Sequence, residues 1–245
     1  MRSTGLFVGI HLIGNALLLW LGYYWLGLGE SRAGALLWSL LVAALGFCLT
    51  CWLYGAAFAF FAQRGVGAAF RTALGRLAPL VVAALAVLVF YVLLIRADDT
   101  MNGLGFRLAS WLTLHLRRPV RPATVQAFFH GVYWVLRWMV FPVMILPIGP
   151  AILSRGWAGF GAFALRYRPC LYWLEAPALL LAALWAPLRL IGWVPHMSSF
   201  GAEMASFVVR AALAYLLFGG GWLALAFVTS RGQPGATAKR AAPSR

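Results

Sequence analysis

The run LAPLVVAALAVLVFYVLLI, Leu77–Ile95, carries no charged residue across nineteen positions. Wound as an α-helix at about 1.5 Å per residue, it reaches roughly 28 Å, close to the ~30 Å hydrocarbon core of a bilayer. It is continuous and lacks the period-2 alternation of a membrane β-strand. It therefore reads as a transmembrane helix. Five further apolar runs are longer: Gly5–Leu28, Leu36–Phe61, Phe128–Leu153, Cys170–Val194 and Ser206–Thr229. The expected fold is all-α, a polytopic transmembrane bundle of about six spanning helices. Residues 1–230 form the membrane domain, and residues 231–245 a disordered basic cytoplasmic tail, since RGQPGATAKRAAPSR has no apolar side chain larger than Ala. Leu36–Phe61 is the run expected to tilt or to extend past the headgroups.

Composition supports the same reading. Of 245 residues, 63% are hydrophobic and 10% charged, against about half and about a quarter in a soluble domain. So few charges cannot cover the surface that a domain of this size leaves in water. The first run has only Arg2 before it and no small-residue cleavage site after it, so a retained membrane helix is expected and not a removed signal peptide.

The net charge of +15 comes from nineteen Arg and Lys239 against five acidic residues. These cations fall in short groups between the apolar runs. That is the pattern of topology signals and anionic headgroup contacts, and not the basic stripe that nucleic-acid binding needs. The N-terminus, the connections after the second and fourth runs, and the C-terminal tail together carry eleven basic residues, including Arg64, Arg71, Arg76, Arg155, Arg166 and Arg168. The connection after the first run has Arg32 alone, and that after the fifth has none. Both termini are therefore expected in the cytoplasm.

The connection after the third run breaks the pattern, with Arg96, Arg107, Arg117, Arg118 and Arg121 offset only by Asp98 and Asp99. Leu104, Leu108, Trp111, Leu112 and Leu116 share one helical face there. The segment reads as an amphipathic interfacial helix on the outer surface, with its Trp at headgroup level. The connection Gln63–Arg76 also looks amphipathic and loosely echoes Arg155–Arg168.

Ionisable groups at membrane depth are functional candidates because they are costly to place there. Arg189 and Arg210 each lie roughly 31 Å from the nearest cytoplasmic arginine, at the outer headgroups, where snorkelling explains them. Arg137 lies roughly 24 Å up and Glu175 roughly 10 Å up. His11 and Asn15, four apart on one face of the first helix, are the nearest candidate partners of Glu175. Gly219, Gly220 and Gly221 form a candidate hinge, a broken helix at a solute site, or else a place of close helix packing. Gly5 and Gly9 invite the packing interpretation too. Pro142, Pro147 and Pro150 should distort the fourth helix, and Pro177 and Pro187 should bend the fifth.

No catalytic motif stands in these residues. The Gly-x-Ser-Gly nucleophile of rhomboid proteases is missing, and the sixth run has no His. No H-E-x-x-H or phosphate-binding glycine loop occurs. Cys48, Cys51 and Cys170 make no disulfide framework, and Cys48 and Cys51, within an apolar run that offers no partners for a redox or metal role, read as packing residues. His115, His130 and His196 could meet at the outer interface, but nothing in their spacing requires it. No cofactor, metal or nucleic acid is expected. The leading expectation is a non-enzymatic cell-membrane protein that packs against anionic lipid and against a membrane-protein partner or another copy of itself. The alternative is a small permease or channel subunit for an anionic or small polar solute, and a lipid-modifying enzyme ranks third.

Overall fold

The computed structural model describes residues 2–29, 32–62, 65–161, 170–195 and 199–231. Among them every regular element is helical. The first two spans are α1 (Arg2–Leu26) and α2 (Ala33–Phe61), followed by a short α3 (Val66–Gly75) and a forty-residue α4 (Leu77–Leu116). The fourth span is assembled from α5 (Pro122–Val135), a π-helical turn (Leu136–Val140), α6 (Phe141–Ile145) and α7 (Ile148–Arg155). The fifth is α8 (Tyr172–Leu180), a second π-helical turn (Leu181–Trp185) and α9 (Ala186–Gly192), and the sixth is α10 (Phe200–Arg231). Six helical stretches are long and apolar enough to cross a membrane. The chain is a multi-pass membrane protein with an all-α bundle.

The prolines explain the composite spans. Proline has no N–H to give the carbonyl four residues earlier, and its ring crowds that carbonyl. Each π turn ends two residues before a proline, Pro142 or Pro187, and widens the helix where the crowding occurs. In the fourth span Phe141 N–H bonds Leu136 O, and the next residue, Pro142, has no N–H, so Arg137 O is left without a helical donor. The Tyr91 hydroxyl donates to it at 2.8 Å. Pro147 likewise frees Val143 O, and the Tyr172 hydroxyl donates there at 2.7 Å. Tyrosines from the neighbouring spans thus satisfy carbonyls that proline releases, as a bilayer demands.

The core sits at the end of the bundle where α1 begins and α10 finishes. Phe7 stacks on Phe60 with ring centres 4.1 Å apart, Phe61 meets Phe227, and the Ser230 hydroxyl reaches Phe58 O at 3.3 Å. Small side chains allow this approach: Ala56, Ala57, Ala69, Ala73, Ala176 and Ala183 are all fully buried. The amphipathic connection is α3, which folds back along α2 on Ala69 and Ala73, its Phe70 carbonyl accepting from the Trp52 indole at 2.9 Å. A Cβ on Gly221 would lie 2.7 Å from Ala183 Cβ, so α10 and the second π turn touch through the absent side chain. α10 runs unbroken through Gly219–Gly221, which corrects the broken-helix expectation: Gly219 and Gly221 serve close helix approach, and Gly220 has nothing within 4 Å. Gly5 and Gly9 have nothing within 4 Å, so no helix among the described residues packs on them.

A second correction concerns the Arg-rich connection. It is helical, as expected, but residues up to Leu116 continue the third span without a break. Charged residues interrupt an apolar run without interrupting a helix. The first proline after Pro79 is Pro119, and the helix closes just before it with Arg117 in the left-handed region, φ 48°. Leu80 Cδ1 lies 2.7 Å from the Cβ position of Gly55, which levels α4 against α2. From that level α4 overshoots the far end of α2 by about 14 residues, roughly 21 Å. α5 folds back beside it: Gly105 faces Gln126 and Phe129, and Ala109 and Val125 are buried. The longest helix is therefore the third span and not the second. Leu104, Leu108 and Trp111 lie outside the hairpin contact and are exposed.

Arg64, Arg166, Arg168, His196 and the tail from residue 232 onward lie outside the described residues.

Candidate functional site

The six polar positions singled out in the sequence do not meet at one place. His11 and Asn15 are fully buried at 0% and 3% exposure, but their partner comes from the second span and not the fifth. The Tyr54 hydroxyl donates to Asn15 Oδ1 at 2.6 Å, and Asn15 Nδ2 donates to His11 O at 2.8 Å. The Tyr215 hydroxyl donates to Leu12 O from α10. His11 stacks near Phe7 and presents its ring to the edge of Tyr54 at 5.4 Å. Neither His11 ring nitrogen, nor the Trp222 indole nitrogen, has a partner among the described residues. Glu175 is half-buried in the first turn of α8, and its carboxylate forms no ion pair or hydrogen bond among the described residues.

The two outer arginines, placed at equal depth by the sequence, have different environments. Arg189 is exposed, with its guanidinium 5.4 Å from the Trp185 ring centre. Arg210 is 7% exposed and does not reach for headgroups. It donates to Ser206 O at 3.2 Å, to Ile191 O at 3.3 Å and to Trp193 O, capping the C-terminal end of α9. The last carbonyls of a helix lack intrahelical donors and carry partial negative charge, so a cation there satisfies both needs. Sequence reasoning missed this role because the cap comes from a different helix.

Arg137 has a setting of its own. It lines a cavity of about 210 Å³ between the third and fourth spans, with Asp98, His130, Tyr133, Trp134 and Trp138. His130 Nδ1 lies 3.2 Å from Asp98 Oδ1. The Arg137 guanidinium stands 5.5 Å from the Trp138 ring centre, and no carboxylate pairs with it among the described residues. Directly beneath is a larger cavity of about 550 Å³ whose walls are almost wholly apolar, including Ala84, Val87, Ile145 and Leu184. Tyr91 joins the two: it lines the lower cavity, and its hydroxyl bonds the backbone of Arg137, which lines the upper one.

The sequence places Asp98 in the connection and His130 at the outer interface without joining them, yet the signal for their position is present. Val87, Tyr91, Leu94 and Asp98 recur at spacings of four, three and four, one continuous face of α4, and His130 and Arg137 are two turns apart on the fourth span. The other outer histidine, His115, stacks on Trp111 with ring centres 4.1 Å apart. Among the described residues no three His, Cys, Asp or Glu side chains converge on a metal position. Cys51 lines the apolar cavity, and Cys48 and Cys51 are free thiols, half-buried. The chain matches no protein-family model, no curated protein and no solved structure.

Proposed function

We infer that this is a non-enzymatic protein of the cell membrane, both termini cytoplasmic, which works as an assembly partner for another membrane protein or a second copy of itself. The observation carrying this reading is the hairpin of α4 and α5 that overshoots the bundle. It exposes Leu104, Phe106, Trp111, Leu114 and Phe128 beyond the level where the neighbouring span ends. Apolar side chains concentrated where hydrocarbon does not reach mark an interaction surface. Arg107, Arg117, Arg118 and Arg121 on the same hairpin suit anionic headgroups or an acidic partner face. The eleven basic residues at the terminal end support the orientation.

A solute path has less support. It would need polar groups to continue inward from Arg137, and the space below that residue is lined by apolar side chains.

The test is native electrophoresis of the full chain in a mild detergent, beside the doubly substituted Leu104→Gln, Leu114→Gln chain. The wild type should migrate as a complex, and the variant as a single chain with unchanged helix content. A wild type that migrates alone, extracted at the same detergent concentration, would sink the assembly reading.

A further inference from the structure

The crevice between the third and fourth spans has the polarity profile of an amphipathic molecule. Its lower part opens into the apolar cavity of about 550 Å³, which the second, fifth and sixth spans also wall through Phe47, Leu184 and Phe218. Its upper part, about 210 Å³, offers one cation and one carboxylate, Arg137 and Asp98, beside the indoles of Trp134 and Trp138. Tyr91 marks the boundary, bonding the Arg137 backbone at 2.8 Å. From Val87 through Tyr91 to Asp98 a single face of α4 passes from hydrocarbon depth to headgroup level over about 11 residues, roughly 16 Å.

Three features narrow the occupant. The guanidinium of Arg137 has no anionic partner among the described residues, so it lacks the counter-charge that a cation at this depth calls for. A phosphate supplies that charge and suits the guanidinium fork. The carboxylate in the same cavity would repel a purely anionic headgroup but attracts an ammonium able to donate hydrogen bonds. Indole rings flanking the polar part are the usual furniture of the bilayer interface.

We propose that this crevice binds one aminophospholipid molecule, with an acyl chain in the apolar cavity, the phosphate at Arg137 and the primary ammonium at Asp98. His130, which faces Asp98 at 3.2 Å, shares the carboxylate with the ammonium. Ala84 faces the chain and has no larger side chain to obstruct it. The binding is independent of the hairpin's role in assembly, because none of Leu104, Phe106, Trp111, Leu114 and Phe128 lines either cavity.

The experiment uses the full chain in phosphatidylcholine vesicles doped with phosphatidylethanolamine that carries a photoactivatable acyl chain. After irradiation, crosslinked peptides are mapped by mass spectrometry. Crosslinks should concentrate at Val87, Ala84 and Ile145 over the outward-facing Leu85 and Val89. Ala84→Phe, which fills the lower cavity, and Arg137→Gln should each reduce that crosslinking about tenfold, the loss of one charge-assisted contact or of the chain's space. Arg32→Gln should leave it unchanged. Unlabelled phosphatidylethanolamine should compete and phosphatidylglycerol should not. Crosslinks spread evenly over outward-facing residues, or unchanged by Ala84→Phe, would overturn the site. Equal competition by phosphatidylglycerol would overturn the role of Asp98 and with it the aminophospholipid.

Discussion

The two ends of the bundle are built on different principles. At the end that carries both termini, alanines and glycines bring helices together, and Phe7, Tyr172, Ile152 and Leu225 are sealed from the surroundings. At the far end the spans separate, large side chains such as Trp20, Tyr23, Leu93 and Val208 face outward, and the smaller cavity opens between helices, above the larger one that reaches down to Phe58 and Leu80. In a bilayer, lipid is as apolar as leucine, so burial alone does not draw helices together. Where small residues allow backbone approach the bundle closes, and where they give way to bulky ones it stays open and depends on individual polar ties. The comparison teaches that small-residue packing, helped by bonds such as Ser230 to Phe58 O, closes one end, while the other depends on individual hydrogen bonds.

Breaking the strongest tie at the open end should have the largest effect. Arg210→Leu removes a buried cation and orphans the carbonyls that close α9, and should cost about 3 kcal/mol of stability, read by unfolding in mixed detergent. Arg189→Leu, exposed beside Trp185, should change stability by less than about 0.5 kcal/mol. Equal effects would erase the distinction between the two arginines.

Overfilling the closed end comes next. Gly221→Ala would set a Cβ 2.7 Å from Ala183 Cβ and 3.0 Å from its Cα, where backbone must move. A loss of about 2 kcal/mol is expected. Its neighbour Gly220 has nothing within 4 Å, so Gly220→Ala should stabilise by about 0.5 kcal/mol through helix propensity. The same thermal unfolding series decides both, and a loss at Gly220 would mean that α10 needs flexibility there.

Polar groups sharpen the contrast further. Asn15→Leu takes the acceptor from the buried Tyr54 hydroxyl and should cost about 1.5 kcal/mol. Asp98→Asn removes the carboxylate that faces the exposed His130 at 3.2 Å, and should cost less than about 0.5 kcal/mol. The smallest and cleanest difference is in access. Cysteine placed at Asp98 should react with a membrane-impermeant thiol reagent, and cysteine at His11 should not. Labelling at His11 would show that the closed end admits water.

Six spanning helices were legible from apolar runs alone, because helix length and side-chain transfer energy are both local properties. Where the sequence reading stopped short, non-local contacts decided. α4 reaches Leu116 because no proline follows Ile95 before Pro119, whereas a rule based on hydrophobicity ends it at Arg96. Arg189 and Arg210 looked equivalent by distance from the cytoplasmic side, yet only Arg210 finds a helix terminus beside it. His11 was paired with Glu175 by depth, whereas lateral neighbours depend on which helices touch, and Tyr54 is the neighbour.

Sequence by itself determined that the chain is a multi-pass helical membrane protein and roughly where each span begins. These follow from the free energy of placing successive side chains in hydrocarbon, which adds residue by residue along the chain. Only the tertiary structure decided which carbonyls each tyrosine and arginine would satisfy, and that Asp98, His130 and Arg137 would share one cavity above an apolar one. Those outcomes depend on the azimuth and lateral order of helices, set by steric fit between distant segments, which no local pattern encodes.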